Sequence, residues 1–372
     1  MSLKQPKIVI SGGGTGGHIF PAIAIADALR RKLPTCSVLF IGAKGRMEMQ
    51  RVPLAGYEIK GLWISGIQRS LSLHNLSFPV KLVSSLFRAW AILKSFKPDL
   101  VIGVGGYASG PTLRAAIWLR IPTLIQEQNS FPGITNKLLG NKVDKICVAY
   151  EHMEQWFPPQ KTKLTGNPLR KEAVDVAGKR TEGLKFFMLE SNLPVVLLIG
   201  GSQGARALNQ AVEQNLSGIA ASGTQFIWQT GESFFDKAVA SVEKMGYQHL
   251  IKPVVFINRM DLAYACADLI ISRAGAMAIS EIAVIGKPAI FIPLPTAAEN
   301  HQMKNARRLS DAGAASIIEN HLASQQLIPE MLRLLNNPEQ LNRMMAQLAR
   351  FAIADADEQI AAEAIKLMSY EH

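Results

Sequence analysis

The sequence predicts an α/β protein built from two doubly wound parallel sheets, and three observations carry that prediction. Apolar strand-like runs alternate with helix-forming stretches along most of the chain, the pattern of parallel sheets covered on both faces. Glycine-rich turns follow strands in both halves. The passage Pro98 to Ile125 is mirrored by Ala267 to Pro293, each running Asp, apolar strand, glycine loop, helix, X-Pro, apolar strand. The spacing between first and second loops differs, so the halves are similar domains rather than tandem repeats. With 372 residues, 48% hydrophobic and 19% charged, the chain can bury two full cores.

The first element is the strand Ile8-Val9-Ile10-Ser11, which feeds Gly12-Gly13-Gly14-Thr15-Gly16-Gly17-His18 and then a helix-forming run through Leu29. A tight turn needs one or two glycines. Five in six positions let backbone amides approach a ligand, and with a helix N-terminus behind them they suit phosphate oxygens. Gly12, Gly14 and Gly17 also satisfy the dinucleotide pattern G-x-G-x-x-G, yet the second strand, from Ser37, runs out at Lys44, where that site wants an acid. A P-loop would continue with Lys and Ser or Thr, where this chain has His18 and Ile19. The loop reads as a phosphate or pyrophosphate cradle of neither kind, with a histidine at its mouth.

A helix is expected over Met47 to Gly56 and a short strand over Tyr57 to Leu62. From Leu71 to Lys97, apolar residues including Phe78, Val80, Val83, Phe87 and Trp90 are interleaved with Lys81, Arg88, Lys94 and Lys97. No run reaches the ~20 apolar residues of a spanning helix. The stretch reads either as an interfacial amphipathic segment or as a core helix with a solvated basic edge, and the charge distribution favours the first. Residues 1–165 carry 21 Lys+Arg against 8 Asp+Glu, while the remainder carries 19 against 21, so the net +11 arises in the first half. That half should face an anionic partner. Without a nucleic-acid recognition motif, the expected partner is a membrane surface and not nucleic acid.

The next strand, Leu100 to Val104, opens a second anion loop at Gly105-Gly106-Tyr107-Ala108-Ser109-Gly110, and Thr123-Leu124-Ile125 delivers Gln126-Glu127-Gln128-Asn129 to the same sheet edge. A further strand is expected at Lys145 to Ala149, and Gly166-Asn167-Pro168 breaks regular structure at the passage between domains. The second half restarts with Val195 to Ile199, the turn Gly200-Gly201-Ser202-Gln203-Gly204, and a helix to Leu216. Strands follow at Phe226 to Gly231, Ile251 to Ile257, Leu269 to Ser272 and Ala289 to Ile292, and the chain is helical from Gln325. Asp355-Ala356-Asp357 spells the D-x-D of metal-dependent glycosyl transfer, but at a helix start it reads as a cap with dipole-favouring acids, and no metal is assigned. Cys36, Cys147 and Cys266 lack metal-ligand spacing and read as buried thiols of a reducing compartment. Few residues precede the first strand, so no signal peptide is expected and the protein should be cytoplasmic.

Gly13 to Ala22, Gly105 to Pro111, Glu127-Gln128-Asn129, Gly166 to Arg170, Gly200 to Arg206 and Ser272 to Glu281 together closely resemble, in that order and over nearly the whole chain, the bacterial MurG family. The resemblance implies a GT-B fold, two Rossmann-like domains facing each other across a deep cleft. It implies a domain over residues 1–166 for the acceptor lipid and membrane, a UDP-GlcNAc domain over 167–354, and a last helix, about 355–372, packed on the first. The implied reaction is transfer of N-acetylglucosamine from UDP-GlcNAc to the C4 hydroxyl of MurNAc in undecaprenyl-pyrophosphoryl-MurNAc-pentapeptide, in peptidoglycan synthesis at the cytoplasmic membrane face. Other cell-wall synthesis proteins are plausible partners.

By the same resemblance Ile257 meets uracil through its backbone, Glu281 takes the ribose hydroxyls, and Ser202 meets phosphate. Ala276, Met277, Ala278, Ile279 and Ser280 line the nucleotide. Arg170 approaches the leaving diphosphate; Gln302 and Asn129 touch the sugar; Thr15, Gly16 and Gly17 also meet the donor. The family often has two glutamines where this chain has His301-Gln302. Gly13, Gly14, Thr15, Gly16, Gly17 and His18, with Gly105, Gly106, Tyr107 and Ser109, would hold the acceptor pyrophosphate. The attacking hydroxyl needs a base, His18 first and Glu127 second. An inverting, metal-independent and cofactor-free reaction is expected. Another glycolipid transferase, a UDP-GlcNAc 2-epimerase-like enzyme and a non-catalytic membrane-associated binder are the alternatives.

Overall fold

The computed structural model describes residues 5–65, 78–201, 204–297 and 300–369. The chain divides into two compact units, one formed by Met1–Arg170 with Ile353–His372 and one by Lys171–Ala352.

In the first unit the strands are β1 (Lys7–Ser11), β2 (Ser37–Ala43), β3 (Glu58–Leu62), β4 (Leu100–Gly103), β5 (Thr123–Glu127), β6 (Lys145–Val148) and β7 (Thr162–Leu164). They form one sheet in the order β3-β2-β1-β4-β5-β6-β7, with every pairing parallel. The second unit has β8 (Val195–Ile199), β9 (Gln225–Gln229), β10 (Ile251–Val254), β11 (Leu269–Ser272), β12 (Ala289–Phe291) and β13 (Ser316–Ile317). Their order is β10-β9-β8-β11-β12-β13, again all parallel.

These strands read as unbroken apolar runs because both of their faces are buried. Ile8 and Ile10 of β1 enter one core while Val9 enters the core on the other face. In β8, Val196 and Leu198 enter one core, Val195 and Leu197 the other. Strand order reverses between β1 and β4 and between β8 and β11. The loops after these four strands therefore diverge and leave a crevice at each switch point. Those loops are the glycine turns identified in the sequence.

β7 and β13, three and two residues long, carry no alternation that a sequence pattern could register. The strand expected to run to Ile257 ends at Val254, and the helix Phe78–Phe96 begins seven residues after Leu71; residues 71–77 lie outside the described ones. The final helix, Ala356–Ser369, places Ile360, Ala361 and Ala364 in the core of the first unit. Its Asp355 caps it: the carbonyl accepts the Glu358 amide at 3.0 Å and Oδ1 accepts Gln359 Nε2 at 2.9 Å. Asp357 is buried and paired with Arg31. All three cysteines are free and buried; burial pushes the thiol of Cys147 up to about 12 and that of Cys266 to about 11.

Candidate functional site

In the first unit the loops after β1 and β4 are fitted closely together, by side chain at Val104 and by backbone at Gly13. A Cβ on Gly12 would fall 2.2 Å from Val104 Cγ2, and one on Gly106 would fall 2.2 Å from the Gly13 carbonyl oxygen. Gly13, Gly14, Gly105 and Gly106 all have positive φ (144°, 90°, 90° and 83°), a conformation that side chains resist. Glycine is thus required for close approach as well as for turning. Tyr107, 47% exposed, lies over Gly14.

Thr15 is the extended N-cap of the helix Gly16–Lys32, and its carbonyl accepts the His18 amide at 3.1 Å. The amides of Thr15, Gly16 and Gly17 have no partner among the described residues, which leaves them for an anion at the positive end of the helix. Thr15 Oγ1 lies 3.2 Å from His18 Nδ1. The ring packs against Gly105, where a Cβ would come within 2.9 Å of Cδ2 and Nε2. When Nδ1 donates to the threonine hydroxyl, Nε2 carries the lone pair.

Glu127 is placed differently. It is buried, and Oε1 accepts the Asn129 amide at 2.9 Å and Asn129 Nδ2 at 3.3 Å. Oε2 accepts the Gly133 amide at 3.1 Å and Asn136 Nδ2 at 2.7 Å. Burial raises its pKa, and these four donors oppose the rise. The carboxylate organises the segment 129–136, and the Asn129 side-chain amide is committed to it. Gln126, Gln128 and Asn167 form a buried amide chain whose Gln128 Nε2 donates to the Val104 carbonyl at 2.8 Å, tying β5 to the second loop. Ser109 is fully buried, its hydroxyl without a hydrogen-bond partner among the described residues. Arg170 stacks on Phe20, 4.6 Å from guanidinium carbon to ring centre, beside Gly16, and its Nε is likewise unpartnered among the described residues.

In the second unit, Gly200 and Gly204 lie against the end of β9: added Cβ atoms would fall 2.7 Å from the Gln229 carbonyl oxygen and 2.3 Å from that of Thr230. Ser202 lies outside the described residues. Gly275 is the extended N-cap of the helix Ala276–Ile285. Ala276 and Ile279 point into the core, so they can meet a nucleotide only through their backbone, whereas Met277, Ala278, Ser280 and Glu281 are partly exposed. Glu281 Oε2 accepts the hydroxyl of buried Tyr264 at 2.8 Å. Ile257, just past β10, has a buried side chain. Gln302 uses its oxygen to accept the Leu294 amide at 2.9 Å, so its NH2 group is the part left for a sugar.

Two further side chains have structural roles that carried no sequence signal. Arg273 donates to the Ile292 carbonyl at 2.9 Å and to Asn320 Oδ1 at 2.7 Å; burial pulls its guanidinium down to about 10. Glu48, buried beneath the first glycine loop, accepts the Gly14 amide at 3.0 Å and the Ala43 amide at 2.9 Å.

The helix Phe78–Phe96 buries Ser85, Ala89, Ile92 and Leu93 and exposes Val80, Val83, Phe87 and Trp90 on another face. Trp63 and Trp118 are also exposed, and Lys81, Lys94 and Arg114 sit over Trp63, Trp90 and Trp118 at 5.7, 4.7 and 5.2 Å. Among the described residues no helix is long and apolar enough to cross a membrane.

Comparison with known proteins adds the family. The glycosyltransferase family 28 N-terminal domain matches residues 8–148 and the family 28 C-terminal domain matches residues 195–360. A UDP-N-acetylglucosamine–N-acetylmuramyl-(pentapeptide) pyrophosphoryl-undecaprenol N-acetylglucosamine transferase from Christiangramia forsetii is 49% identical over 98% of both chains. The crystal structure of Acinetobacter baumannii MurG superposes with a TM-score of 0.77 at 28% identity, covering 97% of this chain and 99% of that one. A UDP-GlcNAc 2-epimerase from Neisseria meningitidis reaches a TM-score of 0.68 over 97% of this chain and 100% of that one, at 15% identity, a likeness of fold alone.

Proposed function

The chain belongs to glycosyltransferase family 28, and from that premise we propose that it transfers N-acetylglucosamine from UDP-GlcNAc to the MurNAc C4 hydroxyl of undecaprenyl-pyrophosphoryl-MurNAc-pentapeptide. The observation that carries this reading is 49% identity, over 98% of both chains, to a transferase of that named activity. The epimerase reading rests on a fold likeness at 15% identity and is not favoured.

In the proposed mechanism the acceptor pyrophosphate rests on the amides of Thr15, Gly16 and Gly17 and beside Tyr107. The acceptor oxygen attacks the anomeric carbon, its proton passes to His18 Nε2, and the bond to the UDP oxygen breaks with its electron pair leaving on UDP. Thr15 fixes the histidine tautomer by accepting from Nδ1. Glu127, with both oxygens already engaged, acts as a positioning residue. The backbone at Ala276 and Met277, at a helix N-terminus, holds the departing phosphates, Glu281 the ribose, and Gln302 NH2 the sugar. Arg170, spreading charge over several oxygens, serves an anionic group near Phe20. Attack opposite the leaving group inverts the anomeric carbon. The acids of Asp355-Ala356-Asp357 are committed to a helix cap and to Arg31, so the reaction is expected to run in EDTA.

The exposed Val80, Val83, Phe87 and Trp90, on a helix that also carries Lys81, Arg88 and Lys94, suit a peripheral contact with the cytoplasmic leaflet, where the acceptor's lipid resides.

The deciding experiment follows UDP release from UDP-GlcNAc in EDTA, with and without a short-chain pyrophosphoryl-MurNAc-pentapeptide lipid, and weighs the lipid product. Acceptor-dependent release with gain of one β-linked N-acetylhexosamine is expected. Donor binding without transfer, an α-linked product or loss of turnover on chelation would overturn the reading.

A further inference from the structure

A carboxylate does reach the C-terminal end of β2, from the helix that follows, and it is spent on backbone amides. Glu48, first residue of the helix Glu48–Leu54, is 1% exposed and turned beneath the glycine loop. Its Oε2 accepts the Gly14 amide and its Oε1 the Ala43 amide, at 3.0 and 2.9 Å, so one side chain joins the end of β2 to the loop after β1. The space it occupies is reserved by two glycines. A Cβ on Gly13 would fall 2.2 Å from Glu48 Oε1, and a Cβ on Gly42 would fall 2.6 Å from Glu48 Cγ.

We propose that Glu48 is a positioning residue for the transfer reaction, holding the glycine loop so that Thr15 and His18 meet the acceptor, without itself touching either substrate. This rests on the reading of the loop given above. The chain of contacts is short. Glu48 captures the amide of Gly14, whose φ of 90° is adopted one residue before Thr15 becomes the extended helix cap. Thr15 then meets His18 Nδ1. Because a carboxylate only accepts, it can take two backbone N–H groups at once, one on each oxygen. Glutamine has nearly the same shape but must turn its NH2 group toward one of those N–H groups. A donor then faces a donor, and one of the two segments is released. Taking the Gly14 amide inward also divides the loop's amides: this one serves structure, and those of Thr15, Gly16 and Gly17 remain for an anion.

The test compares wild-type, E48Q, E48A, G42A and E48A/G42A as full-length chains. Wild-type turnover with donor and short-chain acceptor stands as the separate test of the function itself. In E48Q, kcat is expected to fall about tenfold or more and acceptor KM to rise, since small displacements of reacting groups are costly. KM for UDP-GlcNAc should change less than acceptor KM, because Ala276, Met277, Glu281 and Gln302, which hold the donor in the proposed mechanism, are in the other unit. Independently of activity, hydrogen exchange of peptides spanning Gly12–Ile19 should speed up in E48Q while peptides over β8 keep the wild-type rate. G42A, whose added Cβ would fall 2.6 Å from Glu48 Cγ and 3.1 Å from Ile59 Cδ1, should reproduce the E48Q pattern in kcat and acceptor KM, and that kinetic cost should shrink on the E48A background, where the contact with Ile59 alone remains. Unchanged kcat and acceptor KM in E48Q, a rise in donor KM as large as that in acceptor KM, or a G42A cost in kcat and acceptor KM that is as large in E48A as in wild-type would each overturn the proposal. If wild-type shows no turnover, the functional reading fails, and the exchange measurement still decides whether Glu48 orders the loop.

Discussion

The glycine loop after β1 and the glycine loop after β8 share a strand-turn-helix plan and a switch-point address, yet they are held by different things. The first is interlocked with the loop after β4 and pinned from below by an acid, so that Gly12, Gly13, Gly105 and Gly106 leave no room for side chains. The second leans on the strand on its other side, through the carbonyls of Gln229 and Thr230. The first loop also carries a side chain against its partner loop, His18 against Gly105. An oxygen-binding backbone surface tolerates small shifts because several amides share the charge. A base must present one nitrogen at hydrogen-bond distance, so under the proposed mechanism the extra fastening falls where one atom's position matters.

The largest expected effect tests that contrast directly. H18A should lower kcat by about 10²–10⁴, the usual contribution of a positioned general base, and leave UDP binding by calorimetry intact. Wild-type turnover in H18A would transfer the role of base elsewhere. Next come the two glycine loops. G105A, which presses on the imidazole ring at a φ of 90°, should cost about 10–100-fold in kcat with donor KM preserved. G204A, pressing on the Thr230 carbonyl at a φ of 72°, should instead raise KM for UDP-GlcNAc with acceptor KM preserved. Identical kinetic patterns in the two variants would erase the distinction.

F87S/W90S should weaken binding to anionic vesicles by roughly tenfold or more, given ~25 cal/mol per Å² of apolar surface, with turnover on a detergent-soluble acceptor unchanged. Equal vesicle binding would detach that helix from the membrane. The smallest effect concerns the final helix. Burial of Glu363 would raise its pKa, but Lys366, Lys163 and Lys145 overcome this and hold it at about 2, below the ordinary 4.5. A depressed carboxylate stabilises the fold above its unfolded pKa, and that stability drains away as pH falls from about 4.5 to 2. E363Q should therefore lower stability at pH 7 by on the order of 1–2 kcal/mol, allowing for solvent screening of the lysines, and flatten this part of the acid denaturation curve. A curve identical to wild-type would mean that the lysines contribute nothing net.

Much of this was legible in the chain because it is local. Strand, glycine run and helix lie next to one another, and His18 and Glu281 sit inside such runs. Glu48 was not legible: it reads as an ordinary acid in the first turn of a helix, and its partner Gly14 is 34 residues away. Ser109 and Glu127 show the reverse limit. Their loops were found correctly, but whether a side chain faces a ligand or its own backbone depends on packing that no local pattern records. β7 and β13 went unseen because strands of three and two residues have no period to detect.

The last helix has one more consequence, for the order in which the protein is made. Ile360, Ala361 and Ala364 belong to a helix that packs on the first helix and on β4 and β5, sharing a core with Ile25, Leu29, Leu100, Ile102 and Leu124, in a unit whose other residues end at Arg170. A ribosome must complete residues 171–352 before that cover emerges. At about 5–20 residues per second the interval is roughly 10–40 s. Throughout it the first unit stands with an unroofed core, while the second, made from one continuous segment, has all its residues at hand. The amino-terminal part of this chain is therefore the last to be finished, and it is the part for which a nascent-chain chaperone has the most to do.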